Sequence, residues 1–401
     1  MRIAHMASGF PVLTQTFILN QVRGLIDQDH DVTVVARRQP DSEVTHDLID
    51  DYNLIDRTVY SPKATTYPAA LCQLVASTFS LAGSEPRCFA NLLTQLSIDK
   101  SIAHRLSNVR STLKQGQFDI YHAHFGKVAN GFRDLTACRS TPFIVSFYGI
   151  DASQRLREDP SRYDDLFKRA DAITVLSEDM RSSLINAGCP RLKTHLQPLS
   201  IDTDRFTYRP RQLPEDRPIQ LLTVARLVEK KGIEYAIRAV GGLETDHEIR
   251  YVIAGDGERR SRLEALVERL ELTNTVEMVG WQQQSAIQDL MEKSHLFVLP
   301  SVTAESGDKE GTPTVLLEAQ SSGLPVVSTR HAGIPEIVAD GESGLLVPER
   351  DVDALQSALE TLLSSPNRWA PMGHAGSERI ERKHSIKAVS SNLVQLYHSL
   401  Q

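Results

Sequence analysis

Apolar and polar positions follow two rhythms along this chain. Short apolar runs bounded by turn residues predict buried strands at 2–6, 31–38, 119–122, 143–147, 172–176 and 194–198. Between most of them apolar residues recur at helical spacing. Phe17, Ile18, Val22, Leu25 and Ile26 form one such stripe, with Thr14 as the expected N-cap. Strand and helix in alternation predict a parallel sheet. Residues 67–115 break the rhythm with helix-like pattern and no clear strand, which reads as a helical insertion. Its Leu-rich, amphipathic character fits packing against the domain; contact with a membrane surface or an acceptor is the sharper alternative. The Pro- and charge-rich stretch 208–218 ("YRPRQLPEDRP") reads as a linker.

After it the pattern restarts. Strands are predicted at 219–224, 250–254, 276–279, 296–299, 325–328 and 344–347, with helices at 232–240, 259–270, 285–292 and 313–322. Two further helices follow, at 352–363 and about 386–400. The expectation is an α/β chain of two doubly wound parallel-sheet domains, 1–207 and 219–383. Ligands of open α/β sheets bind beyond the carboxyl ends of the strands, so a cleft between the domains is the expected site.

Composition narrows the class. A chain of 401 residues exceeds one ordinary core, in keeping with two domains. Its 41% hydrophobic and 24% charged content is that of a soluble globular protein. The net charge of −7 argues against nucleic acid as a partner. Acidic neighbours dilute the basic stretch 155–169, which reads as a solvated helix face. Cys72, Cys88, Cys138 and Cys189 show no CxxC spacing, so neither a metal cluster nor a disulfide framework is expected, and free thiols suit a reducing cytosol. The start "MRIAHMASGF" lacks the marks of a signal peptide, and 68–83 is too short and polar to span a bilayer. The expected location is the cytoplasm, at most on the inner face of a membrane.

The chemistry concentrates in "GDKEGTPTVLLEAQSSGLP". Glu310 and Glu318 lie eight residues apart, and no Lys or Arg occurs between Glu310 and Thr329. Thr312-Pro313 reads as a helix start, a capping hydroxyl followed by a Pro at the first position. The free N–H groups of Thr314 and Val315 at that end form a phosphate site in outline. Glu318 lies roughly 12 Å further along the rise, too far to share a proton with Glu310. That spacing suits the two ends of a nucleotide sugar, although either Glu could be a plain helix carboxylate. "TVARLVEKKG" follows the first strand of the second domain and offers Arg226 and Lys231 to neutralise a diphosphate. A Lys-rich loop alone is often only solvated. Here the missing cation is expected on this loop, facing phosphates rather than the carboxylates.

In order and spacing, "VARLVEKKG", "VIAGDGERRSRLEALVERLEL", "VEMVGW", "FVLPS", "EGTPTVLLEAQSSGLPVVST" and "GIPEIVADGESGLLV" resemble the family 4 glycosyltransferases. The resemblance covers the whole second domain and thins in the first, to Gly9, "FPVLTQTFILNQ", "YHAHFG" and "SFYGID". The lead-in "GDKEG" and the N-terminal motif look most like the colanic-acid and amylovoran exopolysaccharide branch. The resemblance implies the GT-B architecture, with 384–401 returning to the N-terminal domain, and retaining sugar transfer from a UDP- or GDP-sugar to a saccharide or polyprenyl-linked acceptor.

By similarity, Arg226 and Lys231 bind the donor diphosphate with the Thr314 and Val315 amides. Glu318 holds the ribose, Glu310 contacts the transferred sugar, and Gly9 admits a phosphate or the acceptor. His124 matches the family's active-site histidine, and Gly280-Trp281-Gln282 lie where relatives seat the base. Asp256 either helps there or shapes the turn. His122 and His124 share one strand face, and one of them could be a core histidine. Two departures stand out: Tyr148 where many relatives carry His, and Gln15 where the branch commonly shows Glu. No Asp-x-Asp metal motif is in a suitable place, so no metal or other cofactor is expected. Two competing readings are a nucleotide-sugar 2-epimerase and a non-catalytic nucleotide-sugar binder.

Overall fold

The apolar runs become strands of two all-parallel sheets in a computed structural model that describes residues 1–12, 15–39, 47–61, 66–95 and 101–401. One unit comprises Met1–Leu176, Arg181–Gln197 and Val389–Gln401; the other comprises Ser177–Met180 and Pro198–Ala388. The first sheet runs β1 (Arg2–Ala7), β2 (Asp31–Ala36), β3 (Thr58–Tyr60), β4 (Ile120–His124), β5 (Phe143–Ser146), β6 (Ala172–Val175) and β7 (Thr194–Leu196) along the chain. Its spatial order is β3-β2-β1-β4-β5-β6-β7. β3 escaped the sequence reading because it is a three-residue edge strand, only partly buried.

The second sheet holds β8 (Ile219–Val224), β9 (Ile249–Ala254), β10 (Val276–Gly280), β11 (Leu296–Leu299), β12 (Val326–Thr329) and β13 (Gly344–Val347). Its order, β10-β9-β8-β11-β12-β13, reverses direction between β8 and β11, as the first does between β1 and β4. Such a reversal opens a crevice at the carboxyl ends of the strands, where the crossover helices part to opposite faces.

The helix Thr16–Ile26 covers the first sheet through Ile18, Leu19, Val22 and Leu25. Its N-cap position is Gln15; Thr14 lies outside the described residues. The last helix, Ile386–Ser399, places Leu393 and Tyr397 in this same core, which fixes the chain's end to the first unit. Among the described residues the insertion consists of helices Tyr67–Ser84, Pro86–Gln95 and Ile102–Leu113. The last of these is held by a buried ion pair, Arg105 to Asp134 at 3.0 Å.

Cys88 and Cys138 are joined as a disulfide, which corrects the expectation of four free thiols. Only the packing of the insertion on the segment after β4 brings these two cysteines together across 50 residues of sequence. Cys72 and Cys189 are free, the first exposed and the second buried.

The stretch read as a linker is fastened to the second unit. The buried Arg211 guanidinium donates to the carbonyls of Glu292 (2.7 Å) and Ser322 (2.6 Å), satisfying two helix C-termini. One long helix, Trp369–His384, has no counterpart in the sequence reading, because Pro371, Gly373 and Gly376 are poor helix formers. Packing explains it: a Cβ on Gly373 would stand 2.1 Å from the Gly323 carbonyl oxygen, so only Gly permits this approach to the helix Thr314–Ser321. Among the described residues no helix is long and apolar enough to cross a membrane.

Candidate active site

In the second unit the loops after β8 and β11 flank the reversal of strand order, and they interlock. Val302 N–H donates to the Lys230 carbonyl (2.8 Å). Gly232 sits at φ +64°, and a Cβ there would fall 1.9 Å from the Pro300 carbonyl oxygen, so the position demands glycine. This contact sets Lys231 beside Glu310, with Nζ 2.9 Å from Oε1 and both side chains about nine-tenths buried. The expectation that Lys231 would face phosphates rather than carboxylates is corrected here. A buried ammonium needs a counter-charge, and interlocked loops supply Glu310. Burial alone would raise the Glu310 carboxyl, but Lys231, Lys230 and the hydrogen bond from Lys231 hold it below its ordinary range. Glu310 is therefore ionised at neutral pH.

The helix expected from Thr312-Pro313 begins one residue later. Thr314 is its first residue and Pro313 its N-cap, extended at φ −69° and ψ 104°, without a side-chain cap. Thr312 therefore does not cap it. The Thr314 and Val315 N–H groups have no acceptor among the described residues. Free donors at the positive end of a helix dipole are the arrangement that suits an anion. Arg226, at the mouth of the β8 loop, is exposed and has no ion pair among the described residues. Glu318, half-buried one turn further along, likewise has no ion pair or side-chain hydrogen bond among them. Burial pushes its carboxyl up to about 7.

Gly280 (φ +73°) ends β10, its carbonyl accepting from Gly255 N–H, and the exposed Trp281 and then Gln282 follow it. The Asp256 carboxylate accepts from Gly257 N–H (2.7 Å) and lies 3.6 Å from Arg260, so its visible work is to shape the turn.

In the first unit His5 of β1 stands beside His122 of β4 in register, and His124 follows on the same face. All three imidazoles are fully buried. His124 is hydrogen-bonded through Nε2 to His5 Nδ1 and through Nδ1 to the Tyr148 hydroxyl, both at 2.7 Å. His122 is bonded to the Tyr397 hydroxyl (2.6 Å) and to Ser146 Oγ (2.7 Å). Desolvation lowers His5 to about 3, and burial with the neighbouring imidazoles drives His122 and His124 far below their usual range. These are neutral hydrogen-bonding groups. The Tyr148 hydroxyl, raised by burial, keeps its proton. Gly9 follows β1 at an ordinary backbone conformation, and the atoms nearest a Cβ there would be those of Arg38 and Val12 at 3.4 Å, an ordinary contact.

Two family models match the chain, "Glycosyl transferase 4-like domain" over residues 14–199 and "Glycosyl transferases group 1" over 204–379. WcaL of Escherichia coli (strain K12), named for colanic acid biosynthesis, is 33% identical over 413 residues and spans 100% of both chains. The chain belongs to the family 4 glycosyltransferases. It is a transferase enzyme of the branch that includes the amylovoran biosynthesis glycosyltransferase AmsK of Erwinia amylovora, 31% identical with 100% of both chains covered. The GT-B fold is shared with Anabaena Alr3699/HepE, solved in complex with UDP (TM-score 0.73, 17% identity, 100% of both chains). Sucrose-phosphate synthase from Thermosynechococcus elongatus shares it too (TM-score 0.70, 19% identity, 100% of this chain and 99% of that one).

Within this glycosyltransferase several site residues had no sequence signal. His331, fully buried, accepts from Glu310 N–H at Nε2 (3.1 Å) and is bonded at Nδ1 to Glu349 (2.6 Å). Their spacings of 21 and 18 residues follow no periodicity, since each sits after a different strand. His5 emerges only through sheet register. Asp151 of "SFYGID", fully buried, accepts from Gly126 N–H, Tyr163 and Arg155, and so ties the loop after β4 to the next helices.

Proposed function

We propose that this glycosyltransferase moves a sugar, with retained anomeric configuration, from a UDP- or GDP-sugar to a hydroxyl of a growing or polyprenyl-linked saccharide in exopolysaccharide synthesis. One observation carries this reading: the Thr314 and Val315 amides and Arg226, all without a partner among the described residues, and the Lys231–Glu310 pair lie beside the same strand reversal. Departure of a nucleoside diphosphate is the hard step, and donors aimed at the leaving oxygens lower its barrier. Arg226 and the two amides meet the diphosphate, while Lys231 holds Glu310 beside them. Glu318 accepts from ribose hydroxyls, and Gly280-Trp281-Gln282 seat the base.

Glu310, ionised and fixed, contacts the transferred sugar. It lies on the phosphate side, which suits attack on the face the leaving group vacates. His124 acts as a neutral hydrogen-bonding group, and Gly9 borders the acceptor side. The leaving group needs no metal in this scheme. A lipid-linked acceptor places the enzyme on the inner face of the membrane, with the exposed face of helix Tyr67–Ser84 against the lipid.

A thermal-stability screen of UDP-, GDP- and ADP-sugars in the presence of EDTA tests the reading. Ligand at 100 times its Kd stabilises by about 2.7 kcal/mol, so a true donor raises the Tm by several degrees. If none does so, or if the shift appears only with divalent metal, the reading fails.

A further inference from the structure

The loop that carries Glu310 is short of internal bonds. Between β11 and the helix Thr314–Ser321, Ala304 N–H donates to the Asp308 carbonyl and Gly307 N–H to the Ala304 carbonyl, and both close only the loop's tip. Lys230 braces that tip through Asp308 at 3.0 Å. Arg350 donates to the Thr303 carbonyl, Lys230 Nζ to the Lys309 carbonyl (3.3 Å), and Lys231 Nζ pairs with Glu310 Oε1 (2.9 Å); besides these, one connected pair of side chains reaches the backbone N–H groups at both ends. Glu349, after β13, accepts from Thr303 N–H at Oε2 (2.7 Å) and meets His331 Nδ1 at Oε1 (2.6 Å). His331, after β12, accepts from Glu310 N–H at Nε2 (3.1 Å).

The donor–acceptor pattern fixes the tautomer. An amide N–H can only donate, so Nε2 presents its lone pair and Nδ1 carries the proton, which it gives to the Glu349 carboxylate. The imidazole is completely enclosed, so no water can replace either bond. The residue after it, Ala332, sits at φ +43°, a region unfavourable for a side chain with a Cβ. It lies in the connection between His331 and the helix Ile334–Ile337.

We infer that His331 and Glu349 form a latch that pins both ends of loop 303–310 and thereby aims the Glu310 carboxylate: His331 is a positioning residue for sugar transfer. Neither side chain needs to touch substrate. The amide of Glu310 sets the direction of its Cα–Cβ bond, and a carboxylate held within fractions of an ångström is what a transition-state contact requires. The nucleotide-binding features, Arg226, Glu318 and the helix amides, are not held by the latch. Its loss therefore falls on turnover and spares nucleotide affinity. This part of the inference rests on the proposed role of Glu310; the latch itself does not.

Two measurements on the full chain separate the two. Hydrogen–deuterium exchange without ligand reads the latch alone. His331→Leu, which keeps volume but no acceptor, and Glu349→Gln, at a partly exposed site, are each expected to speed exchange in the 303–311 peptide at least tenfold. Exchange in the sheet peptides should stay unchanged. Unaltered exchange in that peptide for Glu349→Gln, which leaves the core intact, overturns the latch.

Kinetics with the donor found in the thermal screen then read positioning. His331→Leu is expected to lower kcat 10- to 100-fold with UDP or GDP affinity within twofold. His331→Gln, whose amide oxygen can accept from Glu310 N–H, is expected to recover most of that loss. Equal loss of kcat in both variants, or wild-type kcat in His331→Leu, overturns the positioning role. Failure of every nucleotide sugar in the screen falls instead on the functional reading, and the exchange result stands apart from it.

Discussion

Glu318 sits in a helix that offers it no cation, and the consequence is a titration near neutrality. Its carboxyl is raised from an ordinary 4.5 to about 7 by burial. The folded protein thus holds a proton on Glu318 that the unfolded chain has lost between those two values. Over that window the unfolded state binds fewer protons, so stability contributed by Glu318 is fully present below about 4.5 and is lost as pH rises through about 7. In its proposed role the ionised Glu318 accepts from ribose hydroxyls, so nucleotide affinity should run the opposite way. Calorimetry with the preferred nucleotide is expected to show affinity rising several-fold from pH 6 to 8, and Glu318→Gln should flatten that rise. A pH-independent wild-type affinity removes Glu318 from the ribose. Both glutamates were legible in the sequence because no Lys or Arg occurs between Glu310 and Thr329. Lys231 as the partner of Glu310 was not, since the pairing depends on two loops interlocking through Gly232 and Pro300. His331 and Glu349 were hidden for a similar reason.

At the scale of elements, every strand but the short edge strand β3 followed from the apolar runs, and the parallel order from their alternation with helices, because a strand buried on both faces has little freedom in composition. The helix Trp369–His384 did not follow, because its glycines answer to a neighbour and not to helix propensity. This helix backs the one whose N-terminus presents the Thr314 and Val315 amides. Gly373→Ala is expected to destabilise the protein by about 1–3 kcal/mol, the usual cost of overpacking, read as a lower denaturant midpoint. An unchanged midpoint contradicts the packing account.

The insertion carries a feature of another kind. Tyr67, Leu71, Val75 and Phe79 repeat every four residues along a helix without a single charged side chain, and they are 82%, 50%, 46% and 76% exposed. Aromatic side chains at both ends of an uncharged apolar stripe suit a lipid interface. Burying one such ring contributes about 1.5–3 kcal/mol. Tyr67→Ser/Phe79→Ser is therefore expected to lose at least tenfold in flotation with phosphatidylethanolamine–phosphatidylglycerol vesicles. Equal partitioning of the variant and the wild type would remove the stripe from the membrane.

Across the whole molecule, the two sheets share one topology with different contents at the strand reversal. The second unit collects cations, free amides and carboxylates there, whereas the first collects neutral, mutually bonded imidazoles. That division fits a donor end where charge departs and an acceptor end where charge would compete. The sequence motifs named Arg226, Lys231, Glu310, Glu318 and the Thr314 and Val315 amides in the second unit, but not the Lys231–Glu310 pairing or the partners His331 and Glu349. They carried the acceptor end only to His122 and His124, because the partners His5, Tyr148 and Tyr397 arrive through register and through the returning C-terminal helix. The most direct test of the account is the anomeric configuration of the product, read by proton NMR during turnover of the donor identified by the thermal screen with a saccharide acceptor. The account predicts a new glycoside with the donor's own anomeric configuration and one nucleoside diphosphate released per linkage. An inverted product, or an isomerised sugar without diphosphate release, would contradict it.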